Sequence, residues 1–379
     1  MNILVIPSTD WVKAPVPNRL NFIFDSIAGT HEVFVLHYQL SKFNGNREMA
    51  TRCRLMNSGP FRCNDLSLQY LLNAPFYVLG IRNLVREHSI DIIVSANIIP
   101  SFAASFMRVP VVFDYHDHLE ESASVYYRNS PLKEFVEKVV HIITRYNLRH
   151  ADAVITVTDE FREYLTGLGL TDIHVIPNGV SSDLLRPVPA GQARHRLGLD
   201  GLVLGYVGSL EYWVDLETVI EALPDLDATL LVVGPDKVTE YGSMIKRLAE
   251  ERGVQDNLVF SDTVPYADLG LYISAMDVCL NPLKRMKKND LTIGGKVFNY
   301  LSCAKPVLSS RMTALEHFFG NALFYYDDRE SFLRQVRLIE QSGITGAQYR
   351  RIAEQHDWRA LAGQYQEMLS AVKNRGGGA

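Results

Sequence analysis

Short apolar runs rich in β-branched residues recur along the chain and alternate with longer stretches of helical period. Ile3–Ile6, Val33–Leu36, Ile92–Ser95, Val111–Phe113, Ala153–Val157 and His174–Ile176 show almost no polar alternation, which marks strands buried on both faces of a parallel sheet. A second series repeats the rhythm: Leu202–Val207, Ala228–Val233, Leu258–Phe260, Val278–Leu280, Pro306–Ser309 and Ala322–Tyr325. The connecting stretches are amphipathic. Within Lys133–Arg149, the residues Phe135, Val136, Val139, Val140, Ile142, Ile143 and Tyr146 recur at helical spacing, which predicts that they pack inward while the polar remainder faces solvent. Turn chemistry at Pro177-Asn178-Gly179 and an aperiodic stretch at Pro187-Val188-Pro189-Ala190-Gly191 separate the two series. The pattern predicts an α/β chain of two doubly wound parallel-sheet domains, residues 1–183 and 184–356. Such sheets bind ligands at the carboxyl ends of their strands, so the site is expected in a central cleft between the domains.

Composition narrows the class. With 379 residues the chain is long enough for two cores, and 47% hydrophobic residues exclude intrinsic disorder. The greasiest stretch, Leu71 to Ile81, is interrupted by Asn73 and Pro75 and falls short of the roughly 20 residues that cross a bilayer. Met1-Asn2-Ile3-Leu4-Val5-Ile6 reads as a first strand and not as an export signal, so a cytoplasmic location is expected. A formal net charge of -5 argues against a nucleic-acid partner. Cys53, Cys63, Cys279 and Cys303 form no C-x-x-C pair and are expected to be reduced, and the Gly376-Gly377-Gly378-Ala379 tail is expected to be unstructured. The chain has no G-x-S-x-G elbow, Walker A loop or H-E-x-x-H helix, which removes the serine-hydrolase, P-loop and zincin readings.

Three glycine-marked segments of the second domain suit a phosphate. Gly294 and Gly295 open a short helix whose N-terminal N–H groups attract anions; Lys296 adds a full charge, and Asn299, one turn on, is placed to bond a ribose hydroxyl. The same glycines equally suit a flexible loop before a surface helix. Gly208, followed by Ser209, and Gly234 each end a strand where a diphosphate can approach the backbone, though a glycine there also serves as a plain turn. The basic run Lys284-Arg285-Met286-Lys287-Lys288, after Asn281-Pro282, is placed to close over a diphosphate or to touch anionic lipid.

In the first domain, Val111–Phe113 runs into Asp114-Tyr115-His116-Asp117-His118-Leu119-Glu120-Glu121, the densest titratable cluster. His116 or Asp117 is expected to bind substrate hydroxyls, or His116 to stabilise charge developing on a leaving group. The glutamates alone fit an acidic helix start. A metal site is disfavoured, because no second His/Cys/Asp cluster completes a ligand set. Arg52, Arg54 and Arg62 with Phe61, Tyr70, Phe76 and Tyr77 suggest either an interfacial patch or core aromatics beside a solvated loop.

Taken in order, Val175-Ile176-Pro177-Asn178-Gly179-Val180, Tyr206-Val207-Gly208-Ser209-Leu210, Val232-Val233-Gly234-Pro235, Asp277-Val278-Cys279-Leu280-Asn281-Pro282 and Gly295-Lys296-Val297-Phe298-Asn299-Tyr300-Leu301-Ser302-Cys303-Ala304-Lys305-Pro306-Val307 resemble glycosyltransferase family 4. The last is similar to the family's K-x-x-E-Y-L-A-x-G-K-P-V. The resemblance covers nearly the whole chain and implies GT-B architecture: two Rossmann-like domains, a nucleotide-sugar donor on the second and a saccharide or lipid-linked acceptor on the first. It also implies hexosyl transfer with retention, no catalytic metal or cofactor, and possible peripheral contact with the inner membrane face. Under it Gly208, Ser209, Gly234, Pro282, Lys284, Gly294, Gly295, Lys296 and Asn299 bind the donor. His116 lies near the transferred sugar, and a helix over 357–374 packs back onto the first domain. Asn299 and Leu291 replace the family's two glutamates, Val214-Asp215 replaces Lys-Gly, and Pro7-Ser8-Thr9-Asp10-Trp11 replaces a glycine-rich loop. Lys284, Arg285 or Lys296 then has to neutralise the diphosphate. Oligomeric state stays open, as do a nucleotide-sugar epimerase and a catalytically degenerate binding subunit.

Overall fold

Each apolar run becomes a strand of one of two parallel sheets. The computed structural model describes residues 1–64, 66–126, 133–235, 240–343 and 346–376. The first sheet joins β1 (Asn2–Ile6), β2 (Glu32–His37), β3 (Arg54–Asn57), β4 (Ile92–Ser95), β5 (Val111–Asp114), β6 (Ala153–Thr156) and β7 (Ile173–Val175) in the order β3-β2-β1-β4-β5-β6-β7. The second joins β8 (Leu202–Val207), β9 (Ala228–Val233), β10 (Leu258–Ser261), β11 (Val278–Asn281), β12 (Val307–Ser310) and β13 (Phe324–Tyr326) in the order β10-β9-β8-β11-β12-β13. Every neighbouring pair is parallel. The hydrophobic pattern misses only β3: at the sheet edge its Arg54, Leu55 and Asn57 stay exposed, so no apolar run is needed.

The chain divides into Met1–Pro177 with Trp358–Ala379, and Asn178–Asp357. The division falls at Pro177/Asn178, ahead of the expected 183/184, because the following residues bond into the second unit. Asn178 Nδ2 donates to the Ile293 carbonyl at 2.8 Å, Val180 N–H to the His356 carbonyl at 3.1 Å and Ser182 N–H to the Asp357 carboxylate at 3.0 Å. The C-terminal helix, Trp358–Gly376, belongs to the first unit and packs on the helix Arg19–Ile27. Trp358 stacks on Phe22 at 5.7 Å between centroids, Tyr365 meets Phe24 edge-on at 5.4 Å, and Leu361, Ala362 and Leu369 are buried. This helix takes in Gly376; Gly377 to Ala379 lie outside the described residues.

Two helical stretches depart from expectation. The Leu71–Ile81 run sits inside one helix, Leu66–Glu87, which continues through Pro75. Its Asn73 is buried and holds the preceding loop, accepting from Phe61 N–H at 3.1 Å and donating to the Phe61 carbonyl at 3.0 Å. The helix Lys133–His150 buries Thr144, Asn147 and Leu148, while Phe135, Val139 and Ile142, expected inward, are exposed. On the buried face Asn147 donates to the Ile98 carbonyl at 2.7 Å. Of the suggested Arg/aromatic patch, Tyr70 and Tyr77 are core residues, whereas Phe61 and Phe76 are exposed and packed on each other. No helix among the described residues is long and apolar enough to cross a membrane, and all four thiols are free.

Leu369 is fully buried on the helix that returns to the first unit. Leu369→Ala should lower unfolding stability by about 2–5 kcal/mol, read by urea denaturation.

Candidate functional site

In the second unit, two strand ends approach so closely that only glycine fits between them. Gly208 follows β8 with φ +144°, and Gly234 follows β9 with φ +147°. A side chain on Gly234 would start 2.2 Å from the Gly208 carbonyl oxygen, and Gly208 N–H donates to the Val233 carbonyl at 2.9 Å. Half-buried Ser209 accepts at its carbonyl from the Tyr206 hydroxyl at 2.9 Å. The helix Gly295–Ser302 begins beside Gly294, which supplies no side-chain cap, and a Cβ on Gly294 or Gly295 would meet nothing within 4 Å. Lys296 reaches from this helix to the strand ends: Nζ donates to Tyr206 Oη at 3.2 Å, lies 4.4 Å from the ring centroid, and sits 3.4 Å from where a Gly208 side chain would start. Gly208, Ser209, Gly234, Gly295 and Lys296 thus share one end of the sheet.

The helix start is held there by a residue that sequence reading did not single out. Tyr300 Oη accepts from Val207 N–H at 2.7 Å and donates to the Leu280 carbonyl at 3.1 Å, clamping the helix to β8 and β11. Asn299 Oδ1 accepts from the Tyr266 hydroxyl at 3.1 Å. Pro282 is buried, its carbonyl accepting from Asp215 N–H at 3.0 Å.

The basic run does not act as one unit. Lys284 Nζ is bound to Glu217 at 2.7 Å and Arg285 to Asp327 at 2.8 Å, so carboxylates already balance both. Lys288 instead is buried, with its ammonium 4.6 Å from the Trp213 centroid. Burial draws the Lys296 ammonium down to about 7, and the neighbouring Lys288 charge pushes the same way. Lys296, a cation drawn out of water beside the Gly208 strand end, is suited to an anion. Nothing in Lys287-Lys288 distinguishes the second lysine; only the turn of Lys287–Leu291 buries it.

In the first unit, β5 delivers Asp114 into a buried network. Its carboxylate accepts from Tyr365 Oη at 2.9 Å, meets Nδ1 of His116 at 3.1 Å and pairs with Arg19 at 3.5 Å. Burial alone would raise the Asp114 pKa; the Arg19 charge and the hydrogen bonds from His116 and Tyr365 override it and hold the carboxyl below its usual range. His116 therefore has one ring nitrogen engaged and its side chain 30% exposed. Asp117 accepts from Ser122 Oγ at 3.2 Å. His118 is buried among Phe161 and Tyr164, which separates its role from that of His116. Among the described residues no group of three or more His, Cys, Asp or Glu is arranged to hold a metal ion.

Known families divide along the same two units. The model for Glycosyltransferase Family 4 matches residues 28–184, and that for Glycosyl transferases group 1 matches residues 201–341. The chain is a GT-B glycosyltransferase. It is 25% identical over 287 residues to TuaH of Bacillus subtilis, a glycosyltransferase provisionally assigned to teichuronic acid biosynthesis, covering 73% of this chain and 70% of the relative. With the 2-deoxystreptamine glucosyltransferase of Streptomyces kanamyceticus it shares 28% identity over 193 residues, 48% of each chain. The glycosyltransferase also shares its fold with sucrose-phosphate synthase of Thermosynechococcus elongatus, at TM-score 0.78, 18% identity, and 98% and 100% coverage. Anabaena HepE, solved with UDP and glucose, gives TM-score 0.73 at 20% identity, covering 98% of this chain and 99% of that one.

Asp114→Asn leaves the buried Arg19 without its charge partner and should destabilise the first unit by about 3–5 kcal/mol at neutral pH. Because the folded carboxyl is held low, its contribution is present above the unfolded value of about 3.9 and is lost as pH falls through the folded pKa. Acid unfolding followed by circular dichroism should therefore show a shallower acid limb in the variant.

Proposed function

We propose that this glycosyltransferase moves a hexosyl group, with retention, from a nucleoside diphosphate sugar to a saccharide or lipid-linked acceptor. The reading rests on one observation: the Gly208 and Gly234 strand ends, the uncapped helix start at Gly294-Gly295 and the ammonium of Lys296 converge, with Lys288 close enough to depress it. Helix N–H groups and lysines stabilise the negative charge of a departing diphosphate, the task for which metal-dependent transferases use a divalent cation. We assign no metal or other cofactor to the reaction. Asn299 takes the ribose side, and Gly208 and Ser209 offer backbone to the diphosphate. Pro282 shapes the wall below it, and Lys284 acts through Glu217 and not on the anion.

His116, oriented by Asp114, and Asp117 are assigned to substrate hydroxyls and to charge on the leaving group. The relatives support a sugar-transfer chemistry in general, and HepE was solved with UDP and glucose. A nucleotide-sugar epimerase would turn over donor with no acceptor present. A degenerate subunit would bind donor without transferring or hydrolysing it.

Lys296→Ala should lower transfer by on the order of 10²–10³, measured as product formed per enzyme under saturating acceptor. Unchanged turnover would remove Lys296 from the site, and a product that forms only with a divalent cation would overturn the metal-free assignment. Binding also has a proton signature. An anion stabilises the ammonium form of Lys296, so a nucleoside diphosphate bound at pH 8 should take up close to one proton, about the full titration of one lysine poised near 7. Calorimetry in buffers of different ionisation enthalpy reads this uptake, and Lys296→Arg, which stays charged, should abolish it.

A further inference from the structure

Asn299 stands three residues beyond Lys296 on the helix Gly295–Ser302, about 4.5 Å further along its axis. Both side chains are half-buried, outside the buried stripe of Val297, Phe298, Tyr300 and Leu301. The Asn299 amide does not turn freely. Its Oδ1 accepts from the Tyr266 hydroxyl at 3.1 Å, and that hydroxyl oxygen in turn accepts from Ser181 N–H at 3.4 Å. The hydroxyl thus offers a lone pair to the backbone and its proton to Asn299, which fixes the end of the amide that faces it. Burial raises the Tyr266 pKa above its ordinary value, so the proton stays in place at any working pH. The ring is held as well: it sits in the short turn Tyr266–Asp268 past β10 and packs against the core of the second unit.

With Oδ1 turned to Tyr266, Nδ2 points away from it, and among the described residues nothing receives its two N–H groups. An ionised carboxylate at this position would offer acceptors only, whereas this amide presents donors. We propose that Tyr266 is a positioning residue for the nucleotide: by holding Oδ1 it aims the Nδ2 donors of Asn299 at a ribose oxygen. The inference rests on the donor reading above, which puts the diphosphate at the helix start beside Lys296. Ribose is the next group of a nucleotide beyond the diphosphate, and Asn299 is one turn beyond Lys296 on the same side of the helix. An amide that is already oriented loses less freedom when the ribose arrives.

Calorimetric titration of the full chain with uridine, guanosine and adenosine diphosphates, and with inorganic pyrophosphate, tests this. For the nucleotide bound most tightly, Tyr266→Phe should weaken affinity about three- to ten-fold, the worth of one hydrogen bond, and Asn299→Ala by a similar factor. Neither should weaken pyrophosphate, which has no ribose. Adding Tyr266→Phe to Asn299→Ala should lose no further affinity, since the hydroxyl acts only through the amide. Asn299→Asp keeps an oxygen for Tyr266 and puts a second oxygen in place of the donors, so it should bind the nucleotide no better than Asn299→Ala. Four results overturn the assignment: undiminished affinity in Tyr266→Phe, losses that add in the double variant, equal weakening of pyrophosphate, or parent-level affinity in Asn299→Asp. The third is what a merely structural Tyr266 would give, because a disturbed helix start weakens both ligands alike. A parent chain that binds none of the nucleotides overturns the donor reading and this inference with it, whereas the four results above leave the donor reading standing.

Discussion

One hydroxyl holds the helix start on which the proposed function rests. Tyr300 lies inside the core of the second unit, and its Oη spans the Val207 N–H and the Leu280 carbonyl. A helix N-terminus attracts anions only through groups that nothing else has satisfied, so it must be fixed in place without being capped. Side-chain clamping from the second turn meets both conditions. The open space at Gly294 and Gly295 and the placement of Lys296 over Tyr206 depend on that clamp.

The cost of this arrangement is electrostatic. A lysine drawn out of water, with a second lysine near, loses much of its tendency to stay protonated. Under the proposed function an incoming diphosphate would reverse that balance and couple donor affinity to proton uptake. The first unit solves the opposite problem. Asp114 is a buried carboxylate that stays ionised because Arg19, His116 and Tyr365 all converge on it, and the last of these comes from the chain's far end. A fold that returns its C-terminal helix to the first unit thereby ties the orientation of His116 to a residue 251 positions away from Asp114.

Charge and apolarity on the outer helices of the first unit show how far periodicity can mislead. Lys133–His150 has apolar residues over so much of its circumference that the repeat alone admits more than one inward face. The face chosen buries Thr144 and Asn147, with the Asn147 amide donating to the Ile98 carbonyl, and leaves Phe135 and Ile142 outside.

Strand positions, the two-unit plan and the glycines at strand ends were legible in the sequence, since buried parallel strands need continuous apolar runs and close backbone approach needs glycine. The edge strand Arg54–Asn57 was not, because an exposed edge leaves no hydrophobic signature. Within the basic run, Lys284, Arg285 and Lys288 look alike as letters, yet Glu217 and Asp327 take the first two and leave the third buried near Lys296. Which charge meets which partner is set by contacts between residues far apart in the chain. Local pattern therefore specified the elements and the chemistry available, while packing alone decided which of those groups came to stand together.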